Sequence, residues 1–240
     1  MTAGTQALLQ LRDLVVRYGQ AEALRGISLE VGEREIVAVV GANGAGKTTL
    51  LRTISGLVRP AAGSINFGGQ SIARSPVHAI VEAGIVHIPE GRGIFATLSV
   101  HDNLRVGAYL GGKPDPLLMA LLRVWFPVLF DRAEQPAGML SGGEQQMLAI
   151  ARAVLAKPKL VLIDELSLGL SPKVVSQLMP RLQDLREKGA SVLLVDQNIH
   201  QTLRVADRVY ILANGRIAFS GAPAQLRADP DLMSRYLGVE

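Results

Sequence analysis

The segment from Gly41 to Thr48 constrains the fold of this 240-residue chain more than any other feature. It reads Gly-Ala-Asn-Gly-Ala-Gly-Lys-Thr and matches the phosphate-binding loop pattern G-x-x-x-x-G-K-[ST] at every fixed position. An apolar, β-branched run at residues 36–40 precedes it and predicts a buried strand, while the residues from Lys47 onward predict a helix. A buried strand, a glycine-rich turn and a helix in this order predict a nucleotide phosphate site.

The residue types of this loop suit phosphate chemistry. Glycines leave backbone N–H groups free to face phosphate oxygens, and a helix that starts near Lys47 directs its positive end to the same place. Lys47 supplies a cation for the β- and γ-phosphates, and the Thr48 hydroxyl can bind Mg²⁺. A glycine-rich turn without a ligand is the alternative. The predicted nucleotide-binding residues here are Gly41, Ala42, Asn43, Gly44, Ala45, Gly46, Lys47, Thr48 and Thr49.

A pair of acidic residues follows a second apolar run at residues 160–163. A buried strand there would deliver Asp164 at its carboxyl end, where open α/β sheets bind ligands, and we predict that Asp164 holds Mg²⁺. Glu165 is placed to polarise an attacking water and is predicted to be catalytic. A strand that ends in a polar turn is the alternative, but the phosphate loop upstream favours the catalytic interpretation.

Strands and helices alternate along much of the chain. Further strands are predicted at residues 85–88 and 191–195, with helices at 172–188 and 199–206. This order is typical of an α/β fold with a mostly parallel core sheet flanked by helices. Residues 100–157 instead have a helical pattern, broken at 111–116, and we interpret them as a helical subdomain inserted into the core.

Composition excludes several function classes. The chain has no cysteine, which excludes disulfides, zinc–thiolate sites and a catalytic thiol. Its net charge of +4 comes from scattered basic residues with few aromatics, so nucleic-acid binding is not expected. No apolar run reaches the ~18 to 20 residues of a membrane-spanning helix, and no signal peptide is visible. We therefore expect a soluble chain.

The segment Leu-Ser-Gly-Gly-Glu-Gln-Gln at residues 140–146 resembles the signature motif of ABC ATPases. A Ser N-cap before a helix that starts at Glu144 is the structural interpretation, and the two are compatible. In that family the motif binds the γ-phosphate of ATP held by the opposite subunit. The resemblance thus implies that Ser141, Gly142, Gly143 and Glu144 contact nucleotide, and that the chain pairs with a second copy or a homologue.

The resemblance covers nearly the whole chain and is closest to the LivF-type ATPases of branched-chain amino acid importers, with urea and amide importers as the alternative. It rests on residues 41–50, 89–92, 139–150, 167–172 and 196–198. It implies one ABC ATPase domain over 1–240, with N-terminal antiparallel strands, a core at 1–89 and 157–240, and a helical subdomain at about 90–156.

The same resemblance implies what the chain works with. The cofactors would be ATP and Mg²⁺. The partners would be a second ABC ATPase, in a heterodimer or a homodimer, two membrane permease subunits and, indirectly, a solute-binding protein. The location would be the cytoplasmic face of the inner membrane. A non-transport ABC ATPase of translation or DNA repair and a binding-only subunit are the rival interpretations.

Three further site residues follow from the resemblance. Tyr18 matches the aromatic position that stacks on adenine, with a core tyrosine as the alternative. Glu90 stands where the family usually has a glutamine that senses the γ-phosphate and Mg²⁺, so it is predicted to be catalytic and metal-binding. Gln197 replaces the usual switch histidine and is predicted to be catalytic, although it cannot titrate. Leu166 replaces the usual proline after the acidic pair, and His200 is expected to face elsewhere.

In the family, a short helix of the membrane subunit docks beside the Glu90 loop. That region would include Arg92, Ile94 and Phe95, with residues 117–130 nearby. Trp125 and Phe126 could anchor this interface, but packing in the core of the helical region is favoured for them.

Overall fold

The computed structural model describes residues 7–229, 231, 232 and 234. Its strands fall into two sheets. The strands are β1 (Leu9–Tyr18), β2 (Ala21–Val31), β3 (Ile36–Val40), β4 (Ala62–Phe67), β5 (Gln70–Ser71), β6 (Ile85–Ile88), β7 (Leu160–Asp164), β8 (Ser191–Asp196), β9 (Arg208–Ala213) and β10 (Arg216–Gly221). The α-helices are α1 (Lys47–Ile54), α2 (Val77–Ala83), α3 (Val100–Gly107), α4 (Pro116–Trp125), α5 (Pro127–Asp131), α6 (Gly142–Leu155), α7 (Pro172–Glu187), α8 (Ile199–Val205) and α9 (Pro223–Arg227).

The larger sheet carries the predicted phosphate loop. Its strand order is β10-β9-β3-β8-β7-β6, and the pairs from β9 to β6 are parallel, while β10 pairs antiparallel with β9. Strands β3, β7 and β8 are buried at every residue, which explains why their sequences are almost continuous apolar runs. The α/β fold with a mostly parallel sheet is confirmed. Because β3, β7 and β8 are parallel, the loops that follow them all lie at the carboxyl ends of the strands, on the same side of the sheet.

The smaller sheet has the order β2-β1-β4-β5 and is antiparallel throughout, which confirms the predicted N-terminal antiparallel strands. Its buried residues, such as Leu14 and Ile27, share an apolar cluster with Leu50 of α1 and Val39 of β3. This packing places the end of β1, at Tyr18, beside the phosphate loop, because α1 lies between the two sheets in the same cluster.

Helices α3 to α6 lie between β6 and β7 in the chain. Their buried residues, among them Leu104 and Leu148, share one apolar cluster with Val161 and Ile163 of the larger sheet. The helical pattern is broken at 111–116, as expected, and again between Trp125 and Pro127. The boundaries of a separate subdomain at about 90–156 remain a prediction.

The start of α6 differs from the prediction, and the packing of Trp125 and Phe126 decides between the two interpretations given for them. Helix α6 begins at Gly142 rather than at Glu144, because Ser141 is its N-cap and both glycines are already helical. Phe126 is 2% exposed and lies in the core cluster, with Trp125 packed against it, as the core interpretation predicted. None of the helices in the described part of the chain is long and apolar enough to cross a membrane.

Candidate functional site

Two glycines of the loop between β3 and α1, Gly41 and Gly46, leave no room for a side chain. A Cβ on Gly41 would lie 2.1 Å from the Leu212 carbonyl oxygen of β9. Gly46 has φ +110°, and its Cβ would lie 2.8 Å from Leu24 and 2.9 Å from the Ala23 carbonyl oxygen. The loop therefore packs tightly against both sheets while its other face lines an open cavity, with the first turn of α1 below it.

This cavity has a volume of about 580 Å³ and is formed by residues that lie far apart in the chain. It brings together predicted site residues from the end of β1, the phosphate loop and the loops after β6, β7 and β8. Ala23 and Leu168 complete its wall, and sequence reasoning did not identify either of them. The predicted site residues that line it are Tyr18, Asn43, Gly44, Gly46, Lys47, Thr48, Thr49, Glu90, Glu165 and Gln197.

Lys47 lies at the base of the cavity and is only 6% exposed. Its Nζ donates hydrogen bonds to the carbonyl oxygens of Gly41, at 2.8 Å, and Ala42, at 3.2 Å. The same ammonium lies 3.4 Å from Oε1 of Glu165. The cation is thus held on the loop and next to the acidic residue, where it can meet a bound phosphate.

Thr48 and Asp164 bring two side-chain oxygens together. The Thr48 hydroxyl donates to Oδ1 of Asp164 at 3.3 Å. Asp164 is 2% exposed, and its Oδ2 is buried and accepts no hydrogen bond from residues 7–229. Burial raises the pKa of Asp164, the Thr48 hydroxyl opposes this, and the charge of Glu90 raises the pKa further.

An unpartnered buried carboxylate oxygen beside a hydroxyl fits a hard divalent cation. Mg²⁺ is usually held by one or two protein oxygens, water and substrate phosphates, rather than by a full set of side chains. No cluster of three or more His, Cys, Asp or Glu ligands occurs in the described ranges. Thr48 and Asp164 therefore suit Mg²⁺ bound together with a nucleotide, and a direct role of Glu90 in holding it remains a prediction.

Asp164→Asn is expected to stabilise the nucleotide-free protein at pH 7. A buried carboxylate that stays ionised is destabilised by its desolvation, and a neutral amide of the same shape removes that cost, so Tm should rise by about a few degrees. Because the folded-state pKa of Asp164 is raised, the wild type pays to keep the carboxylate ionised above that pKa. The gain in Tm should therefore shrink as the pH falls and vanish below the ordinary pKa of 3.8.

Thermal melts from pH 4 to 8 test this prediction. Asp207→Asn is a matched control, because Asp207 is exposed and its carboxylate is already bonded to the Ile36 N–H and to Arg186. A gain in Tm for Asp164→Asn that does not depend on pH would contradict the explanation by ionisation. Mg²⁺ and ATP should stabilise the wild type more than the variant.

Glu165 has an unusual backbone conformation. Its φ is +53°, in the left-handed region that non-glycine residues rarely adopt. Its N–H donates to the Val195 carbonyl oxygen at 2.9 Å, and its side chain is 7% exposed. Burial raises the pKa of the Glu165 carboxyl, while the Lys47 cation lowers it. A carboxylate of raised pKa at a cavity wall is suited to accept a proton.

Two residues from different elements complete the cavity. Tyr18 is 49% exposed, so it is not a core tyrosine, and its ring is available at the cavity wall. Gln197 is exposed directly after β8, and its amide helps to lower the pKa of Glu165. Adenine stacking by Tyr18 and a phosphate contact by Gln197 remain predictions.

The signature residues do not line this cavity. Ser141 caps α6: its Oγ accepts from the Glu144 N–H at 3.4 Å, and Glu144 Oε2 accepts from the Ser141 N–H at 2.8 Å. Glu144 also pairs with Arg132 at 3.1 Å, so its carboxylate is engaged in capping. A Cβ on Gly142 or Gly143 would approach within 2.9 Å of Arg92 or Val174, respectively. Within one chain, these four residues form a separate surface.

Sequence reasoning assigned no role to Asp196, which precedes Gln197 in the chain and does not itself line the cavity. It ends β8 as Asp164 ends the neighbouring β7, and it is 0% exposed. The signal was the same as for Asp164, an acidic residue at the carboxyl end of a buried parallel strand.

The chain resembles known ATP-binding proteins in sequence and in fold. The ABC transporter family model matches residues 24–167. The chain is 46% identical to the "High-affinity branched-chain amino acid transport ATP-binding protein BraG" of Pseudomonas aeruginosa, over 92% of this chain and 95% of that protein. It is 36% identical to the "Probable branched-chain amino acid transport ATP-binding protein LivF" of Archaeoglobus fulgidus, over 97% and 99%. A crystal structure of a nucleotide-free ATP-binding cassette from an ABC transporter superposes with a TM-score of 0.84 at 23% identity, covering 98% of this chain and 100% of that one.

Proposed function

This chain belongs to the ABC transporter family, and we propose that it is the ATP-hydrolysing subunit of a bacterial importer for branched-chain amino acids. The observation that supports ATP hydrolysis is the single cavity in which Lys47, Thr48 and Glu165 converge. The observation that supports the substrate class is the similarity to BraG and LivF along nearly the whole chain.

The cavity residues supply each part of the reaction. Tyr18 stacks on the adenine, and the backbone N–H groups of the phosphate loop and Lys47 hold the phosphates. Thr48 and Asp164, with Glu90 nearby, would hold Mg²⁺, which would supply positive charge to neutralise the phosphates. Glu165 accepts a proton from water as the water oxygen bonds to the γ-phosphorus and the bond to ADP breaks. Gln197 hydrogen-bonds the γ-phosphate, but its amide stays neutral and cannot gain or lose a proton as a histidine can.

A second ATPase subunit is needed to complete the site. Ser141, Gly142 and Gly143 lie at the N-terminus of α6, outside the cavity of their own chain. A helix N-terminus with a serine cap is a suitable anion site. We infer that these residues bind the γ-phosphate of ATP on a second subunit, and that this subunit is a homologue in a heterodimer, with a homodimer as the alternative.

We propose that a membrane subunit docks in a groove of about 750 Å³. The groove lies between α2, β6, α3 and α6. Burial lowers the pKa of His87 in its wall to about 4, so the His87 imidazole is uncharged at neutral pH. Large apolar side chains that are more than one third exposed line it: Leu57, Val77, Val106, Tyr109 and Leu110. Such a surface suits an amphipathic helix. Of the three residues predicted for the docking region, Arg92 lines the groove, whereas Ile94 and Phe95 do not. Residues 117–130, predicted to be nearby, do not line it either.

The groove is connected to the ATP cavity through the Glu90 loop. Residues 91–93 all have positive φ, and Arg92 Nη1 donates to Gln145 Oε1 of α6 at 2.6 Å. Arg152 of α6 donates to the Gly93 carbonyl oxygen at 2.6 Å, and its guanidinium lies 4.8 Å from the Phe95 ring centroid. A helix bound in the groove would therefore touch a loop that is bonded to the signature helix and that carries Glu90.

Leu110→Asp is expected to prevent assembly with the membrane subunits without preventing ATP binding. A charge placed in an apolar interface must be desolvated without a partner, which is costly. The tagged chain is purified from gently solubilised membranes of its own organism, and the co-purifying proteins are identified. Val124→Asp is the matched control, because Val124 is 80% exposed and lies outside the groove.

The wild type and Val124→Asp should recover two permeases and a second ATPase, and Leu110→Asp should recover neither permease. Recovery of ribosomes or DNA-associated proteins instead would support a non-transport ATPase. Recovery of permeases would also place the chain at the cytoplasmic face of the inner membrane. Titration of the associated solute-binding protein with leucine, isoleucine, valine and urea then separates the amino acid importer from the urea or amide alternative.

A further inference from the structure

Asp196 is a fully buried acidic residue at the carboxyl end of β8. Its Oδ2 accepts from the Ser167 N–H at 3.0 Å, and its Oδ1 accepts from the Ser167 hydroxyl at 2.7 Å. Oδ1 also accepts from the Asn198 N–H at 2.8 Å. A buried carboxylate is costly unless its oxygens are hydrogen-bonded, and here three neutral donors satisfy it.

These bonds connect two loops, and each loop contributes a residue to the wall of the ATP cavity. Ser167 lies two residues after Glu165, and Asn198 follows Gln197. Both Glu165 and Gln197 line the cavity, whereas Asp196 does not. From a position outside the cavity, the carboxylate therefore joins the loops that carry two predicted catalytic residues.

The conformation of Glu165 shows why such a fixed point is needed. A non-glycine residue at φ +53° persists only where its surroundings determine its backbone. The Glu165 N–H is held by Val195, and Leu166 is buried at 1% exposure. Ser167 is held by Asp196 through two bonds. The last two residues of β8 thus restrain both sides of Glu165, and its carboxylate stays 3.4 Å from Lys47.

We propose that Asp196 is a positioning residue for ATP hydrolysis, which holds Glu165 and Gln197 in place through its bonds to Ser167 and Asn198. This inference rests on the proposed function and goes beyond it by naming a residue that does not touch the nucleotide. Its loss should impair turnover rather than ATP binding, because Lys47 and Tyr18 lie on other elements. Misplacement of a reacting group by about 1 Å can reduce a rate about 100-fold.

The first test is hydrogen exchange on the purified chain without nucleotide. Asp196→Asn replaces one carboxylate oxygen by an NH2 group that cannot accept from the donor facing it, and Ser167→Ala removes one of the three donors. The backbone amide hydrogens of residues 166–171 should exchange faster in both variants than in the wild type. Asp207→Asn is the control, because it removes a carboxylate that accepts a backbone N–H at the opposite edge of the sheet. Unchanged exchange in Asp196→Asn would overturn the proposal.

The second test is ATP turnover in the co-purified assembly. Asp196→Asn and Ser167→Ala should lower kcat about 10- to 100-fold with KM for ATP within about twofold of the wild type. The kcat of the double variant should be no lower than that of the less active single variant, since both substitutions break the same contact. Ser167→Thr, which keeps the hydroxyl, should recover turnover relative to Ser167→Ala. Additive losses, or a loss seen mainly in KM, would overturn the proposal.

Glu165→Gln, measured in parallel, separates this proposal from the ATPase assignment. If that variant keeps its turnover, the role of Glu165 fails, whereas the exchange of residues 166–171 still decides whether Asp196 fixes the loop.

Discussion

Glu165→Gln is expected to reduce ATP hydrolysis by about 10²–10⁴-fold, the usual contribution of a general base. Glutamine has nearly the same shape as glutamate but cannot accept the proton of the attacking water. The carboxyl it replaces has a pKa raised by burial, which favours proton transfer. Binding of ATP should be retained or strengthened, because Lys47 loses an anionic neighbour at 3.4 Å and no carboxylate then repels the γ-phosphate.

Phosphate release and equilibrium binding of a fluorescent ATP analogue measure the two effects separately. Glu134→Gln is the matched control, because Glu134 is exposed and does not line the cavity. Turnover within tenfold of the wild type would remove Glu165 from the role of general base. A large loss of binding would indicate that Glu165 supports the phosphate loop rather than the chemical step.

Lys47→Met is expected to lower the affinity for ATP by about 10- to 150-fold and to abolish turnover. Hydrogen bonds to charged groups contribute about 1.5–3 kcal/mol each, which corresponds to that range of affinity. Methionine fills a similar volume but has no ammonium to meet the phosphates. It also leaves the Gly41 carbonyl oxygen and the buried Glu165 without their partner, so the pKa of Glu165 should rise further.

The affinity is measured by equilibrium titration with the same ATP analogue. Lys188→Met serves as the control, because Lys188 is exposed at the end of α7 and does not line the cavity. An affinity for Lys47→Met within twofold of the wild type would contradict the assignment of Lys47 to the phosphates. Together with Glu165→Gln, this variant distinguishes a defect in binding from a defect in chemistry.

Much of the fold was predictable from the sequence, because its signals are local. The β-branched run at Ile36–Val40, the glycine pattern that follows it and the acidic pair after β7 are each contiguous in the chain. A strand buried on both faces must be apolar along its whole length, so β3, β7 and β8 were predictable as parallel core strands. The start of α6 was predicted two residues late, because glycines rarely begin a helix, although the Ser141 N-cap recognised in the sequence fits a start at Gly142.

The signature motif at residues 141–144 was also recognisable from the sequence, but not what its residues contact. Their surface is separate from the ATP cavity, and the Glu144 carboxylate is engaged with Ser141 and Arg132. The contact between Glu144 and Ser141 is local, because Ser-x-x-Glu is a capping-box pattern. The pairing of Glu144 with Arg132 and the separation of the motif from the cavity depend on the fold, so no local pattern indicates them.

The sequence by itself therefore determined a glycine-rich loop between a buried strand and a helix, and an acidic pair at the end of a second buried strand, because strand, turn and helix propensities act over a few neighbouring residues. Only the tertiary structure decided which distant residues meet there. Tyr18 reaches the cavity because the two sheets share one apolar cluster, and Gln197 does so because β8 lies between β3 and β7. The burial of Asp196 and its bonds to Ser167 likewise depend on the pairing of β7 with β8. Burial and hydrogen-bond partners are properties of packing, and packing joins residues that the sequence keeps apart.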